Sequence, residues 1–405
     1  MHIRPILSAL SRHRASTLLI ALEIALACAV LCNACFLIIQ RLDNMRIDSG
    51  VDEASLAVVR LDGYSDQPAN DLNARMLAGL RAIPGVESVA VINAVPFGQQ
   101  AGAAGIFLDA ENEHFGGVVD FYVGSPGSLE TLGLRVVAGR APQAADYQPV
   151  SNFVPEDAQV LVTRALAEQL WPGADPLGRE FWLSGDRHFR VMGVLDHLAI
   201  ARPGGRGAHS AEWSVFVPAQ PGPQLLGNYV LRAAPGDLPR VMRAARETVA
   251  RVAPTVVLDE EQTATLGELR ERYFRSDRAM AGLLVGTIVA LLLVTALGIV
   301  GLTSFWVSQR RRQIGVRRAL GATRGDILRY FQTENFLIVS AGIVMGMLLA
   351  YGLNQGLMQQ YELARLPAFY LPVGAIVLWL LGQVAVLAPA RRATRVSPAE
   401  ATRSI

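Results

Sequence analysis

The sequence contains no lysine, since all 37 of its basic residues are arginine. The phosphate-binding loop of ATPases needs the lysine of G-x-x-x-x-G-K-[ST] to reach the β- and γ-phosphates of ATP. A Schiff base likewise needs a lysine amine. Both chemistries are therefore excluded from this chain, and any ATP hydrolysis that drives it is expected on another polypeptide.

Charged residues and cysteine are scarce as well. Only 18% of the 405 residues are charged, whereas 51% are hydrophobic, a balance typical of membrane proteins. Cysteine occurs only at Cys28, Cys32 and Cys35, so no disulfide framework can hold the rest of the chain. Because their i, i+4, i+7 spacing lines one stripe of a helix, we attribute these cysteines to helix packing rather than to metal or redox chemistry.

Signatures of an enzyme active site are also missing. His114, His188, His197 and His209 show no metal-ligand spacing, and no serine lies in a G-x-S-x-G elbow. The acidic run 259–261 is typical of a solvated surface, although it could hold a cation. We predict a non-enzymatic chain without a catalytic residue, metal site, cofactor or nucleic-acid partner of its own.

The chain is rich, by contrast, in long apolar runs. Four of them reach the about 20 residues needed to cross a hydrocarbon core of roughly 30 Å. The first is too long for a signal peptide, whose apolar region is about 7–15 residues, and no A-x-A-like cleavage site follows it, so we interpret it as a retained anchor. The predicted spans are residues 18–39, 279–306, 334–357 and 371–389.

Arginine is unevenly distributed around these spans. Residues 1–17, 307–333 and 390–405 together hold fourteen arginines against two acidic residues. Short loops rich in arginine stay in the cytoplasm, which predicts that both termini and the segment 307–333 are cytoplasmic. Residues 40–278, with 22 arginines and 30 acidic residues, then form a large outer domain, and residues 358–370 form a short outer loop.

The outer segment alternates the patterns of strands and helices. "ASLAVVRLD", "NDLNARMLAGLRAI" and "ESVAVIN" predict a strand, an amphipathic helix and a second strand, and a similar unit recurs in "NYVLRA", "PGDLPRVMRAARETVARV" and "PTVVL". We therefore predict an α+β fold in two lobes, with the middle portion inserted between the paired units and a mobile loop at 201–212. The absence of proline from 263–286 predicts one stiff helix that runs into the second span.

The segment 307–333, which we call the elbow, contains seven arginines and one acidic residue. Its "QIGVRRAL" places Ile314, Ala319 and Leu320 among arginines, which predicts a short helix along the membrane surface that faces lipid phosphates or an acidic protein. Thr323 precedes Asp326 by three residues and predicts the capped start of a second helix. We expect two helices that break at "GAT".

Two acidic residues touch the predicted spans. Glu23 lies inside the first span, where a carboxylate is either functional or paired near the cytoplasmic edge with Arg14 or an arginine of the elbow. Glu334 begins the third span, and we expect it in the same cytoplasmic network. Small-residue spacings that favour close helix packing occur at Gly298, Gly301, Gly342 and Gly346.

Three blocks of the sequence resemble FtsX-like permeases of the MacB type. "GIVGLTSFWVSQRRRQIGVRRALGATRGDILRYFQTENFLIVSAGIVMG" resembles the family's span, basic run and E-I-G-x-R-[RK]-A-L-G-A motif. "SPGSLETLGLRVVAGR", "VLVTRALAEQLWPGADPLGREFWL" and "FRVMGVLDH" are similar to its periplasmic core domain, and "PARRATRVSPAEATRS" is similar to its C-terminal block. The blocks occur in the family's order and cover nearly the whole chain.

The resemblance implies a transmembrane subunit of a type VII ABC system in a bacterial inner membrane. Such subunits work as dimers, of two copies or of paralogues, and transmit movement from a cytoplasmic ATPase of the MacB or LolD type that binds ATP and Mg. In efflux systems a periplasmic membrane-fusion adaptor and an outer-membrane duct complete the assembly. MacB carries its ATPase domain at the N-terminus, whereas here we expect the ATPase on a separate chain. The residues that the resemblance assigns to ATPase coupling are Gln313, Ile314, Gly315, Val316, Arg317, Arg318, Ala319, Leu320, Gly321 and Ala322.

Several alternatives stay open at this level. Other FtsX-like subunits release lipoproteins, like LolC and LolE, or activate a cell-wall hydrolase, and a receptor without ATP-driven work is a further class. The arginines of the elbow could also serve only to fix the topology and to bind anionic lipid. Gln313 stands where the family motif has glutamate, so the elbow has one negative charge fewer.

Overall fold

The computed structural model describes residues 14–63, 68–150, 152–184, 187–203, 210–361 and 367–394. By internal contacts the chain divides into two compact units, Asp43–Ser276 and the remainder. Several predicted features lie wholly or partly outside the described residues. These are the N-terminal segment up to residue 13, the middle of the loop 201–212 with His209, residues 362–366 of the short outer loop, and the tail beyond residue 394.

Four of the helices in the described residues are long and apolar enough to cross a membrane. The helices are α1 (Arg14–Met45), α2 (Ala69–Arg81), α3 (Ser128–Leu132), α4 (Arg164–Leu170), α5 (Leu238–Val252), α6 (Leu266–Tyr273), α7 (Arg275–Gln309), α8 (Arg311–Ala319), α9 (Arg324–Tyr361) and α10 (Tyr370–Ala393). Helices α1, α7, α9 and α10 each contain one of the predicted spans. The prediction of four apolar helices is therefore confirmed.

The outer domain contains two sheets. Its strands are β1 (Leu56–Asp62), β2 (Val86–Val91), β3 (Gly102–Phe107), β4 (Phe115–Gly124), β5 (Val136–Gly139), β6 (Asp157–Thr163), β7 (Glu180–Leu183), β8 (Arg187–Leu195), β9 (Ser214–Pro218), β10 (Asn228–Ala233) and β11 (Val257–Leu258). Four of them form an antiparallel sheet in the order β11-β1-β10-β2. The units β1-α2-β2 and β10-α5-β11 interleave in it as a split βαβ arrangement. The two units were predicted from the sequence, and the structure adds that their strands share one sheet.

The other seven strands form the second sheet, in the order β5-β8-β6-β9-β4-β3-β7. Strand β7 also pairs with β8, so six of the strands close on themselves. Pairs β4–β9 and β6–β8 are parallel, and the remaining pairs are antiparallel. All seven strands lie in sequence between β2 and β10, which confirms the predicted insertion.

The two sheets of the outer domain share one buried apolar cluster. Leu72, Met76 and Leu80 recur every four residues along α2, so they bury one face of this helix. They belong to the same cluster as Phe181 and Phe189, which come from the closed sheet. The expected two lobes are therefore distinct sheets over a continuous core.

Small residues allow α1 to pack closely against α9 and α10. A Cβ added at Gly346 would lie 2.4 Å from the Cβ of Cys28 and 2.7 Å from the carbonyl oxygen of Ala25. A Cβ at Gly374 would lie 2.6 Å from the sulfur of Cys32. Cys28 and Cys32 are therefore packing residues at helix contacts, as predicted.

The other glycines selected from the sequence behave differently from one another. Gly342 faces Ile24 of α1, with 2.8 Å between an added Cβ and the Cβ of that isoleucine. Among the described residues, Gly301 has no atom within 4 Å of an added Cβ, so the predicted close contact is not formed there within this chain. The i, i+3 spacing of Gly298 and Gly301 left their orientation on α7 undetermined.

The predicted continuous helix over 263–286 is interrupted. Helix α6 ends at Tyr273, and Phe274 takes φ −87° and ψ 8° before α7 begins at Arg275. The ring of Phe274 is 1% exposed and lies 5.5 Å from the ring of Phe97, centroid to centroid. Tertiary packing of this aromatic side chain accounts for a break that the proline-free sequence does not indicate.

Candidate functional site

The elbow has the two helices expected from its sequence. Helix α8 ends in a Schellman motif, in which Gly321 N–H donates to the Arg318 carbonyl and Ala322 N–H donates to the Arg317 carbonyl. Gly321 has φ +97°, a left-handed conformation that favours glycine. Thr323 then caps α9. The break at "GAT" is therefore confirmed.

The cap of α9 is reciprocal. The Thr323 Oγ1 accepts from the Asp326 N–H at 3.2 Å, and the Asp326 Oδ2 accepts from the Thr323 N–H at 3.0 Å. The Thr323 hydroxyl also donates to that carboxylate at 2.6 Å. The carboxylate thus sits at the positive end of a long helix, where its charge is stabilising.

One face of α8 is buried against the membrane helices. Ile314 is 6% exposed and belongs to the same buried cluster as Ile327 and Phe331 of α9. Gly315 is buried beside it. Both residues belong to the predicted coupling set, and in this structure they pack α8 against α9.

The opposite face of α8 presents apolar side chains among arginines. Val316 is 47% exposed and Leu320 is 82% exposed, and their spacing of four residues puts them on one face. Gln313 and Ala319 are exposed as well, and so is Arg317, which lies toward Tyr330 of α9. Val316 and Leu320 therefore form an accessible apolar pair on α8.

A buried ion pair fixes the start of α8. The Arg310 Nη1 lies 3.0 Å from both carboxylate oxygens of Glu334 on α9. The side chains are only 13% and 1% exposed. The guanidinium also lies 5.5 Å from the ring centroid of Trp306. Glu334 therefore pairs with an elbow arginine, as expected, and the pair joins the end of α7 to α9.

Two further arginines connect α8 to its neighbours. The Arg317 guanidinium lies 5.0 Å from the ring centroid of Tyr330 on α9. The Arg318 Nη1 donates to the carbonyl oxygen of Thr394, just after α10, at 3.1 Å. A displacement of α8 would therefore also displace the ends of α7, α9 and α10.

Glu23 lies apart from this network in the described residues. Its Oε2 is 2.8 Å from a Cβ added at Gly298, so the carboxylate rests on the backbone of α7. Its Oε1 is buried and has no hydrogen-bond partner among the described residues. The side chain of Arg14, one predicted partner, lies outside the described residues, and Arg310 pairs with Glu334 instead.

A second arginine centre, at Arg270 in the outer domain, has no recognisable signal in the sequence. Its Nη2 donates to the carbonyl oxygens of Met45 and Ile47, both at 2.8 Å, and its Nη1 donates to the carboxylate of Glu53. Its guanidinium lies 4.8 Å from the ring centroid of Phe97. These partners are more than 170 residues away in sequence, so only the fold reveals the cluster.

These features define a class: a membrane protein with four apolar helices, an arginine-rich elbow and a large α/β domain. Residues 285–398 match the family described as FtsX-like permease C-terminal, and this match includes the whole elbow. The chain thus carries an FtsX-like permease domain and is homologous to the ABC permeases MacB, YknZ and PvdT.

Three relatives illustrate this homology. The macrolide export ATP-binding/permease protein MacB of Nitrobacter winogradskyi is 30% identical over 261 residues, which are 60% of this chain and 38% of the relative. The pyoverdine export ATP-binding/permease protein PvdT of Pseudomonas entomophila is 31% identical over 257 residues, with the same coverage. The uncharacterized ABC transporter permease YknZ of Bacillus subtilis is 25% identical over 296 residues, 68% of each chain. The chain therefore spans well under half the length of the MacB and PvdT relatives.

Two solved structures also match part of the chain. The extracellular domain of YknZ from Gram-positive bacteria has 16% identity and a TM-score of 0.33, and covers 50% of this chain and 98% of that one. The periplasmic region of MacB from Actinobacillus actinomycetemcomitans has 12% identity and a TM-score of 0.35, and covers 57% and 97%.

Proposed function

We propose that the chain is the permease subunit of a MacB-type ABC transporter. A separate cytoplasmic ATPase, which binds ATP and Mg, docks on the elbow, and its movement passes to the outer domain to drive efflux of a periplasmic substrate through an adaptor. The protein lies in the inner membrane with both termini in the cytoplasm and works with a second permease copy or a paralogue. The FtsX-like permease domain and the homology to MacB and PvdT support this proposal.

One observation carries the docking part of the proposal. Val316 and Leu320 are exposed apolar side chains on a helix whose other face is anchored by Ile314. Exposed apolar groups surrounded by charge are typical of protein interfaces. Because α8 is also tied to α9 and α10 through arginines, a partner that moves this face moves the ends of the membrane helices.

Export is favoured over the alternative outcomes by the homologues. MacB and PvdT are named as exporters of macrolides and of pyoverdine, whereas lipoprotein release and hydrolase activation appear in none of the relatives described above. All three outcomes would use the same elbow.

The docking face is tested by the substitution Leu320→Asp. An interface centred on Leu320 should lose about 2 kcal/mol or more, which is about 30-fold in affinity for the ATPase. The measurement is binding of the cognate ATPase to the purified full-length chain, together with stimulation of its ATP hydrolysis. Val257→Asp is the matched control, because Val257 is 63% exposed on β11 of the outer domain.

Two results would contradict the proposal. ATPase binding that survives Leu320→Asp would place the docking face elsewhere. A cysteine introduced at position 320, in a variant without Cys28, Cys32 and Cys35, should react with an impermeant thiol reagent only from the cytoplasmic side. Labelling only from the outside would show that the elbow cannot receive force from an ATPase.

A further inference from the structure

A cavity of about 260 Å³ lies between α8 and the first turns of α9. Its apolar lining includes Ile314, Ile327 and Phe331. Its polar lining comes from Arg310, Gln313, Arg317, Asp326 and Tyr330. Ligand pockets usually measure about 300–1,000 Å³, so this one suits a small polar group rather than a large ligand.

The charged groups in the cavity are not equivalent. Arg310 is neutralised by Glu334, at 3.0 Å from both carboxylate oxygens. Asp326 is held by the two donors of Thr323 at the positive end of α9. Both charged groups therefore already have partners within the protein.

Arg317 differs from these two groups. Its guanidinium faces the ring of Tyr330, and no carboxylate within 4 Å pairs with it among the described residues. Gln313, beside it in the cavity, carries no charge that could neutralise it. The cavity thus combines an uncommitted guanidinium with an amide, a phenol and an apolar wall.

The position of the cavity indicates what it binds. Helix α9 is a candidate membrane span from Arg324 to Gly356, so Ile327, Tyr330 and Phe331 belong to the first turns of a membrane helix. Tyrosine and tryptophan concentrate at the level of the headgroups. Basic pockets between membrane helices on the cytoplasmic side bind anionic lipid headgroups. A guanidinium also matches phosphate geometrically, because it offers parallel N–H donors.

We propose that the elbow cavity binds the headgroup phosphate of an anionic phospholipid of the cytoplasmic leaflet. Arg317 is its direct ligand, Gln313 and the Tyr330 hydroxyl donate hydrogen bonds, and the first methylenes of the lipid lie along Ile327 and Phe331. The bound phosphate bridges α8 to α9. This inference rests on the proposed cytoplasmic placement of the elbow.

The test measures lipid binding without any ATPase, so its result is independent of the docking proposal. The full-length chain is purified in detergent and titrated with phosphatidylglycerol or phosphatidylcholine, and bound lipid is counted by native mass spectrometry. We expect one tightly bound phosphatidylglycerol, and about tenfold weaker binding in Arg317→Gln. Arg329→Gln is the matched control, because it removes an exposed arginine of α9 that does not line the cavity.

A second variant distinguishes binding in the cavity from attraction by charge alone. Ala322→Phe fills the cavity without changing its charge and should also weaken phosphatidylglycerol binding, while circular dichroism confirms that the helices are retained. An equal loss of phosphatidylglycerol binding in Arg317→Gln and Arg329→Gln would show that the lipid is held only by general attraction to surface charge, and it would overturn the proposal. Equal binding of free glycerol phosphate would show a phosphate site without lipid contacts and would also overturn the proposal.

Discussion

Arg310, at the start of α8, and Arg270, in the outer domain, are two largely buried arginines whose positive charges are balanced in different ways. Arg310 is 13% exposed and faces one carboxylate, Glu334, which is 1% exposed. Arg270 is 24% exposed and shares its donors between the carboxylate of Glu53 and two backbone carbonyls. Between apolar helices a charge requires a full opposite charge, whereas nearer to water neutral dipoles can share the task.

Removing one member of the buried pair Arg310–Glu334 should cause the largest loss of stability. Glu334→Ala leaves the Arg310 guanidinium buried without a counter-charge, and we expect a loss of about 3–5 kcal/mol in the free energy of unfolding. The double variant Arg310→Met with Glu334→Leu should recover most of this loss, because it removes both charges. Thermal unfolding of the purified chain in detergent measures both effects. A double variant as unstable as the single one would show that the pair is needed for more than charge balance.

Arg270→Ala should have an intermediate effect. It removes hydrogen bonds from a charged donor to the carbonyls of Met45 and Ile47, each worth about 1.5–3 kcal/mol at most. Because the remaining carbonyls can reach water, we expect a total loss of about 2–3 kcal/mol. Hydrogen exchange in the full-length chain should accelerate in residues 45–53 and around Phe97. Arg272→Ala is the control, since its guanidinium bonds the single carbonyl of Glu261. Equal acceleration in both variants would contradict the assignment of Arg270 as a centre.

A third arginine, Arg140, extends the comparison to the surface and should have the smallest effect. Its two terminal nitrogens contact Asp146 at 2.5 and 2.8 Å, and these hydrogen bonds hold the pKa of the Asp146 carboxyl below its usual range. A carboxyl whose pKa is lowered by folding stabilises the protein above its unfolded pKa, and this contribution disappears as the pH falls through the folded value.

The measurement for this surface pair is unfolding of the full-length chain as a function of pH. Asp146→Asn should cost about 1 kcal/mol or less at neutral pH and nothing at a pH below the lowered pKa. The difference between wild type and variant should therefore shrink on acidification. A difference that stays constant with pH would mean that Asp146 acts by packing rather than by charge.

Much of the elbow could be predicted from sequence because its signals are local. The spacing of Thr323 and Asp326 indicates a helix cap, and Gly321 provides the left-handed residue that ends α8. The pairing of Glu334 with an elbow arginine follows from charge near a membrane edge. Ile314 belongs to the predicted coupling set, and its burial against α9 could not be read from the sequence, because a helix of nine residues among arginines has no periodic pattern that tells which apolar residue faces inward.

The features missed by sequence reasoning depend on contacts between distant residues. Arg270 reads as one of several arginines in a charged helix, and its partners come from other parts of the fold. The break at Phe274 reflects the burial of its ring rather than a helix-breaking residue. Gly301 was selected by spacing alone, and no other part of the described chain lies within 4 Å of a Cβ added there.

The sequence by itself determined the four apolar helices, the charged elbow between two of them and the paired β-α-β units. These are set by runs and periods of a few residues, which act through hydropathy and backbone preference along the chain. Tertiary structure alone decided which arginine is buried, which is shared among carbonyls and which faces a cavity. A guanidinium has the same chemistry at every position, and only the groups that folding brings to it determine what it binds.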